Sequence, residues 1–276
     1  MKFKSLAVLS LSMSLMLVGC GNKEVQENME DDKLVVGMEC TYAPFNWQTT
    51  KPTDTSVSLG GAGYADGYDV RMARYIAEEL GKEVEVKKIG WNGLEPALNS
   101  GDIDVAIAGI TATETRKTGM DFTTPYYESE MVMIVRKDDQ DVVKYHDIQQ
   151  FKGKKIVGQK NTSYDLVIDQ IQGVKHATPK DAYPDMVIAL KSHDVDGITA
   201  ELPVAQGVVK ANDDLAIVHF DEDKGFDIDT SVSIAMKKGS SDEALFKDIQ
   251  AALDRLPQET RLQWMEECVA ISSEGE

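Results

Sequence analysis

The sequence predicts an α/β protein in which one α/β series is inserted inside another, and three observations carry the prediction. Short apolar runs alternate with helix-periodic segments from Lys33 onwards, the pattern of a largely parallel sheet wrapped by helices. The alternation runs to Ala108, restarts after Met131–Arg136, and ends on a strand at Val232–Met236 followed by a long amphipathic helix. No segment repeats at a fixed period, so solenoids and propellers are not expected.

The elements follow in chain order. Lys2 and Lys4 precede an apolar run from Leu6 to Val18, broken only by serines and followed by Gly19-Cys20. That run is signal-peptide sized and falls short of the ~20 apolar residues of a membrane span. Residues 21–32 are polar and aperiodic, as in a solvated tether. Leu34–Met38 reads as a strand, and Thr49–Ala65, rich in Thr, Ser and Gly, as a long loop. Val70, Ala73, Ile76, Ala77 and Leu80 recur at helical spacing and stop at Gly81, a residue suited to end a helix. Val84–Val86 alternates as a strand, Leu94 and Leu98 share a helix face, and Ile103–Ala108 reads as a buried strand.

The second series comprises a strand at Lys155–Gly158, helices at Asp165–Ile171 and Asp181–Ser192, and strands at Val195–Ala200 and Ala216–Phe220. After Val232–Met236, Ser240-x-x-Glu243 matches a capping box, and Leu245, Phe246, Ile249, Leu253 and Leu256 follow on one helix face.

Charge and motifs exclude several functions. The chain carries a net charge of −18, which becomes −20 without residues 1–20, since these hold two lysines and no acid. Nucleic-acid phosphates demand a basic face, so no nucleic-acid partner is expected. His146, His176, His193 and His219 show no metal-ligand spacing, and no nucleophile elbow or phosphate-cradling loop is present. No catalytic residue, metal or cofactor is therefore expected. Cys40 and Cys268 remain beyond Cys20; their even number permits a disulfide, but a chain large enough for a proper core does not need that staple, and two buried thiols are the expectation.

One stretch carries candidate binding chemistry. A buried strand ends at Gly109, Thr111 and Thr113 offer hydroxyls at a helix start, and Arg116 sits about one turn further on. Guanidinium meets a carboxylate with two parallel charge-assisted bonds, so this strand end suits an anionic group. An ordinary capped helix with Arg116 solvated on its face explains the same residues.

Taken together, five segments resemble the polar-amino-acid group of bacterial solute-binding proteins. They are Tyr42-Ala43-Pro44-Phe45, Gly67-Tyr68-Asp69-Val70, Leu94-x-Pro96-Ala97-Leu98-x-x-Gly101-x-Ile103-Asp104, Gly109-Ile110-Thr111-x-Thr113-x-x-Arg116 and Asp121-Phe122-Thr123-x-Pro125-Tyr126. Leu17-Val18-Gly19-Cys20 likewise resembles the lipobox of bacterial lipoproteins, which implies a signal peptide over 1–19, a lipid on Cys20 and a membrane-attached tether over 20–32.

The resemblance implies a two-lobed periplasmic-binding-protein-like fold, with two crossing strands as hinge. Lobe 1 would span 33–133 and 229–271, and the inserted lobe 2 134–228. A free amino acid would lie between the lobes, and a membrane permease of an ABC transporter would receive it from a monomeric receptor outside the cell. Arg116 would pair with the ligand α-carboxylate, supported by Thr111 and the backbone of Gly109. Asn161, Thr162 and Ser163, with Gln159 before them, would complete that site from lobe 2. Glu201 would receive the α-ammonium, and Tyr42 and Trp91 would sandwich the side chain. Glu39 falls where relatives place an acid for cationic or amide side chains, favouring Arg, Lys, ornithine, His or Gln. The stretch Gln48–Asp66 would rim the cleft. An amino-acid sensor and an exported dehydratase or lyase are the alternatives on this fold.

Overall fold

The apolar runs form strands because both faces of their sheets are covered. Leu34, Val36 and Met38 are fully buried in the strand Lys33–Met38, and five of the six residues of Met131–Arg136 are buried. The computed structural model describes residues 32–272. The expected signal peptide, Cys20 and the tether up to residue 31 lie outside the described residues.

Two five-stranded sheets result. The first has the order Glu83–Lys88, Lys33–Met38, Val105–Ala106, Val232–Lys237, Met120–Tyr127. Its first three strands are parallel, and Val232–Lys237 runs antiparallel to both of its neighbours. The second has the order Lys175–His176, Lys155–Val157, Gly197–Glu201, Met131–Arg136, Leu215–Val218, with Met131–Arg136 antiparallel to both neighbours. The chain leaves the first sheet through 128–130 and returns through 219–231, so the second unit is inserted in the first. Thr230 Oγ1 donates to the Ser129 carbonyl and ties the two crossings together. We assign the division between lobes to these crossings; a bound at residue 133 would cut Met131–Arg136, which pairs only within the second sheet.

Several elements differ from the sequence reading. Thr49–Ala65 is not one long loop: Val57–Ser58 pairs with Tyr64–Asp66, which pairs with Asn46–Thr49 in a small antiparallel sheet. Thr53 and Thr55 hydroxyls donate to the buried Asp66 carboxylate at 2.6 and 2.9 Å, folding the segment back on lobe 1. Arg74 donates to the Asp54 carbonyl, so the segment lies along the helix Tyr68–Glu79. Helix Asp165–Ile171 is instead a short α-turn, Ser163–Leu166, continued as a 3₁₀ turn, Val167–Gln170. The capping box at Ser240 does not form. Glu243 is the N-cap of helix Ala244–Arg255, and the buried Ser240 hydroxyl has no partner among the described residues. Ile103–Ala108 pairs only at Val105–Ala106. Two helices, Leu202–Ala211 and Gln258–Ile271, add to the elements expected from the sequence, and Pro203 occupies the first turn of the former, where proline is tolerated. Cys40 and Cys268 are both buried, free thiols.

Candidate functional site

Each lobe presents the carboxyl ends of its parallel strands to the other, and open α/β sheets bind ligands at these ends. From the first sheet, Glu39 and Tyr42 follow strand Lys33–Met38, Trp91 opens a turn after Glu83–Lys88, and Gly109 follows Val105–Ala106. From the second, Gln159 to Tyr164 follow Lys155–Val157, and Glu201 ends Gly197–Glu201. Glu39, Tyr42, Trp91, Gly109, Gln159, Thr162 and Tyr164 line one small cavity between the lobes, and Glu201 lies behind its Tyr42 and Tyr164 walls.

Of the two acids, Glu39 lines the cavity and Glu201 does not. Glu201 is fully buried, and its Oε1 accepts from the hydroxyls of Tyr42, at 3.0 Å, and Tyr164. Its Oε2 has no hydrogen-bond partner among the described residues. Burial pushes the Glu201 carboxyl up to about 7, with the two tyrosine bonds opposing the rise. Both oxygens of Glu39 accept from Gln159 Nε2, at 3.1 and 3.2 Å, across the lobe boundary. Burial again raises this carboxyl, against the Gln159 bond.

Arg116 closes the other side. Thr113 caps its helix, Glu114–Lys117, by accepting from the Arg116 N–H. The guanidinium is turned inward rather than solvated on a helix face. Nη1 donates to the Thr111 carbonyl at 3.0 Å, Nη2 reaches the Asn161 carbonyl at 3.4 Å, and Cζ lies 4.8 Å from the Trp91 ring centroid. Burial lowers the guanidinium pKa, yet arginine keeps its charge.

Most expected site residues meet here, with four adjustments. The Gly109 N–H donates to Tyr126 Oη at 3.1 Å, so the backbone group Gly109 can offer is its carbonyl, an acceptor suited to an ammonium rather than a carboxylate. Ser163 begins the helix Ser163–Leu166 and does not line the cavity. Asn161 contributes its carbonyl to Trp91 Nε1, at 3.2 Å, and to Arg116, rather than an N–H to the cavity. Tyr42 stacks on Phe45 at 5.4 Å and Trp91 faces Arg116, so at most one face of each ring remains for a side chain. Thr111 and Thr162 are buried at the wall, where Thr162 Oγ1 donates to the Gln159 carbonyl at 2.7 Å.

Tyr164, Ala108 and Tyr183 were missed. Tyr164 lines the cavity and Tyr183 packs on Tyr42 at 5.6 Å. The signal for Tyr164 was its place directly after Asn161-Thr162-Ser163.

A buried network sets Gly109. Tyr126 Oη donates to Asp69 Oδ1 at 2.7 Å, Asn46 Nδ2 to Asp69 Oδ2 at 2.7 Å, and Cys40 N–H to Asn46 Oδ1 at 2.7 Å. Burial raises Asp69 to about 6. Gly109 has φ +62, and a β-carbon there would lie 3.0 Å from Tyr42 Cε1. Gly109→Ala is therefore expected to lower stability by about 1–2 kcal/mol, read as a lower urea midpoint at unchanged slope.

The fold and the site define a two-lobed receptor with its site between lobes. Residues 34–267 match the bacterial extracellular solute-binding proteins, family 3, and the chain belongs to that family of binding proteins rather than to an enzyme family. It is 32% identical over 240 residues to the L-cystine-binding protein TcyJ of Escherichia coli (strain K12), covering 86% of this chain and 82% of that protein. It is 30% identical over 218 residues to the arginine-binding extracellular protein ArtP of Bacillus subtilis (strain 168), covering 78% and 79%. The amino acid ABC transporter substrate-binding protein AbpA from Streptococcus pneumoniae Canada MDR_19A, solved bound to L-arginine, shares the fold. Its TM-score is 0.74 at 29% identity, over 88% of this chain and 97% of that one. Among the described residues no helix is long and apolar enough to cross a membrane.

Proposed function

We propose that this chain is the substrate-binding subunit of an ABC importer for a polar amino acid, binding it between the lobes and closing over it by hinge motion at 128–130 and 219–231. One observation carries the reading: the partly buried Arg116 guanidinium lines an interlobe cavity, and behind the Tyr42 and Tyr164 walls of that cavity lies the buried Glu201 carboxyl, whose Oε2 has no partner among the described residues, a complement to a zwitterion. Arg116 takes the α-carboxylate. Glu201 Oε2, with the Gly109 carbonyl, takes the α-ammonium. A few charge-assisted bonds at about 1.5–3 kcal/mol each supply micromolar binding, which needs only about 8 kcal/mol net. The closed monomer would then meet the membrane permease, held near it by a lipid on Cys20.

Glu39 favours a cationic or amide side chain, because a buried acid is costly without a donor. The Gln159 bonds to both its oxygens support a second reading, a neutral polar side chain such as that of cystine, since the protein itself supplies the donor. Glu39→Gln separates the two: cationic ligands should lose about tenfold or more in affinity on titration calorimetry, and neutral ones little.

A thermal-shift panel on a soluble form starting near Lys23 tests the class, with each proteinogenic amino acid, ornithine and cystine. A ligand at about 1,000 times its dissociation constant adds about 4 kcal/mol of stability. A large shift with arginine, lysine, ornithine, histidine or glutamine supports the first reading, and one with cystine the second. No shift with any of them removes the amino-acid receptor reading.

A further inference from the structure

His176 lies outside the cavity. Its Nε2 stands 2.9 Å from Asp165 Oδ1 and its Nδ1 2.8 Å from Asp169 Oδ1. A neutral imidazole has one donor and one acceptor, and carboxylates only accept, so both contacts are satisfied together only by the imidazolium. Asp165 and Asp169 are the charged groups facing the ring. On its own strand Lys175 precedes it, and the neighbouring strand sets Ile156 opposite His176 and Lys155 opposite Lys175.

Asp165 belongs to the turn that forms the lobe 2 wall. Its side chain is 14% exposed, its N–H donates to Thr162 Oγ1 at 3.4 Å, and Thr162 in turn donates to the Gln159 carbonyl. Tyr164, which donates to Glu201, precedes it directly. The backbone of Gly158 packs so closely on this turn that a β-carbon there would lie 2.5 Å from Asp165 Cα.

We propose that His176 is a positioning residue for the ligand-contact turn Asn161–Tyr164, fastening it through Asp165 and Asp169 in its protonated form and loosening it on deprotonation. The fastening itself is a property of the fold; only its consequence for amino-acid affinity rests on the receptor reading. Although burial acts the other way, the two carboxylates raise the His176 pKa from 6.5. A raised imidazole pKa contributes stability that is full below 6.5 and is lost as pH rises through the folded-state value.

The test needs no ligand. Ring C–H signals of His176, assigned by their loss in His176→Gln, are titrated by NMR, and amide hydrogen exchange of residues 161–166 is followed over the same pH range after correction for intrinsic rates. The titration midpoint should lie above 6.5, and protection of residues 161–166 should fall roughly fivefold through it, the upper end for a partly exposed ion pair. Asp165→Asn offers a neutral ring a donor and an acceptor, so the midpoint should drop and protection should stop following pH. A midpoint at or below 6.5, or wild-type protection flat through the titration, overturns the proposal. Both outcomes read independently of whether an amino acid binds, and the wild-type titration stands even where a variant fails to fold.

Discussion

Arg116→Ala is expected to weaken amino-acid binding by a hundredfold or more while leaving the protein folded. The loss follows from two charge-assisted bonds to a carboxylate in a buried setting, about 1.5–3 kcal/mol each. The fold survives because the guanidinium's own partners are two carbonyls, those of Thr111 and Asn161, and the face of Trp91, while its removal also relieves the cost of burying a charge. Arg116→Lys should fall between the two, since a point charge cannot engage both oxygens with the same fork. Titration calorimetry with the best ligand of the thermal-shift panel reads the loss. Unchanged affinity in Arg116→Ala would remove the carboxylate assignment.

The second large effect is expected at Glu201, and it depends on pH. Without ligand, burial holds this carboxyl at about 7 against an ordinary 4.5. Between those values the folded chain keeps a proton that the unfolded chain has released, so stability falls as pH rises through the window, by up to about 1.4 kcal/mol per unit. Asp69, raised from 3.8 to about 6, adds a similar slope at lower pH. A ligand ammonium on Oε2 favours the ionised form, so binding below pH 7 expels a proton. Affinity should therefore rise up to about tenfold per unit from pH 5.5 to 7 and level off above.

Glu201→Gln should remove that dependence, weaken binding about a hundredfold at pH 8, and raise the unliganded stability there. Denaturant titrations and calorimetry at pH 5.5, 7 and 8 check each part. Wild-type affinity independent of pH over this range would discard Glu201 as the ammonium partner.

The alternation of apolar strands and amphipathic helices, the insertion of one series in another, and the segment from Gly109 to Arg116 were legible because they are local: period, glycine placement and cap residues act within a turn or two of chain. Pairing was less legible. The antiparallel sheet within Thr49–Ala65 was hidden because its strands are two to four residues long and are held by Asp66 accepting from Thr53 and Thr55, contacts that leave no periodic trace. Ser240 and Glu243 spelled a capping box, yet the helix starts at Ala244 with Glu243 as its N-cap.

By itself the sequence determined the class of fold, because short-range pattern is written along the chain, and through its resemblance to the solute-binding proteins it implied the chemical types to expect at the site, an arginine, two acids and two aromatics. Only the tertiary structure decided what each group is free to do. Gln159 satisfies Glu39 across 120 residues, Tyr42 and Tyr164 hold one oxygen of Glu201 and leave the other, Tyr126 takes the Gly109 N–H, and Asp165 meets His176. The reason is physical: burial and hydrogen-bond partnership set both pKa and availability, and they arise where two sheets distant in sequence present their strand ends to each other.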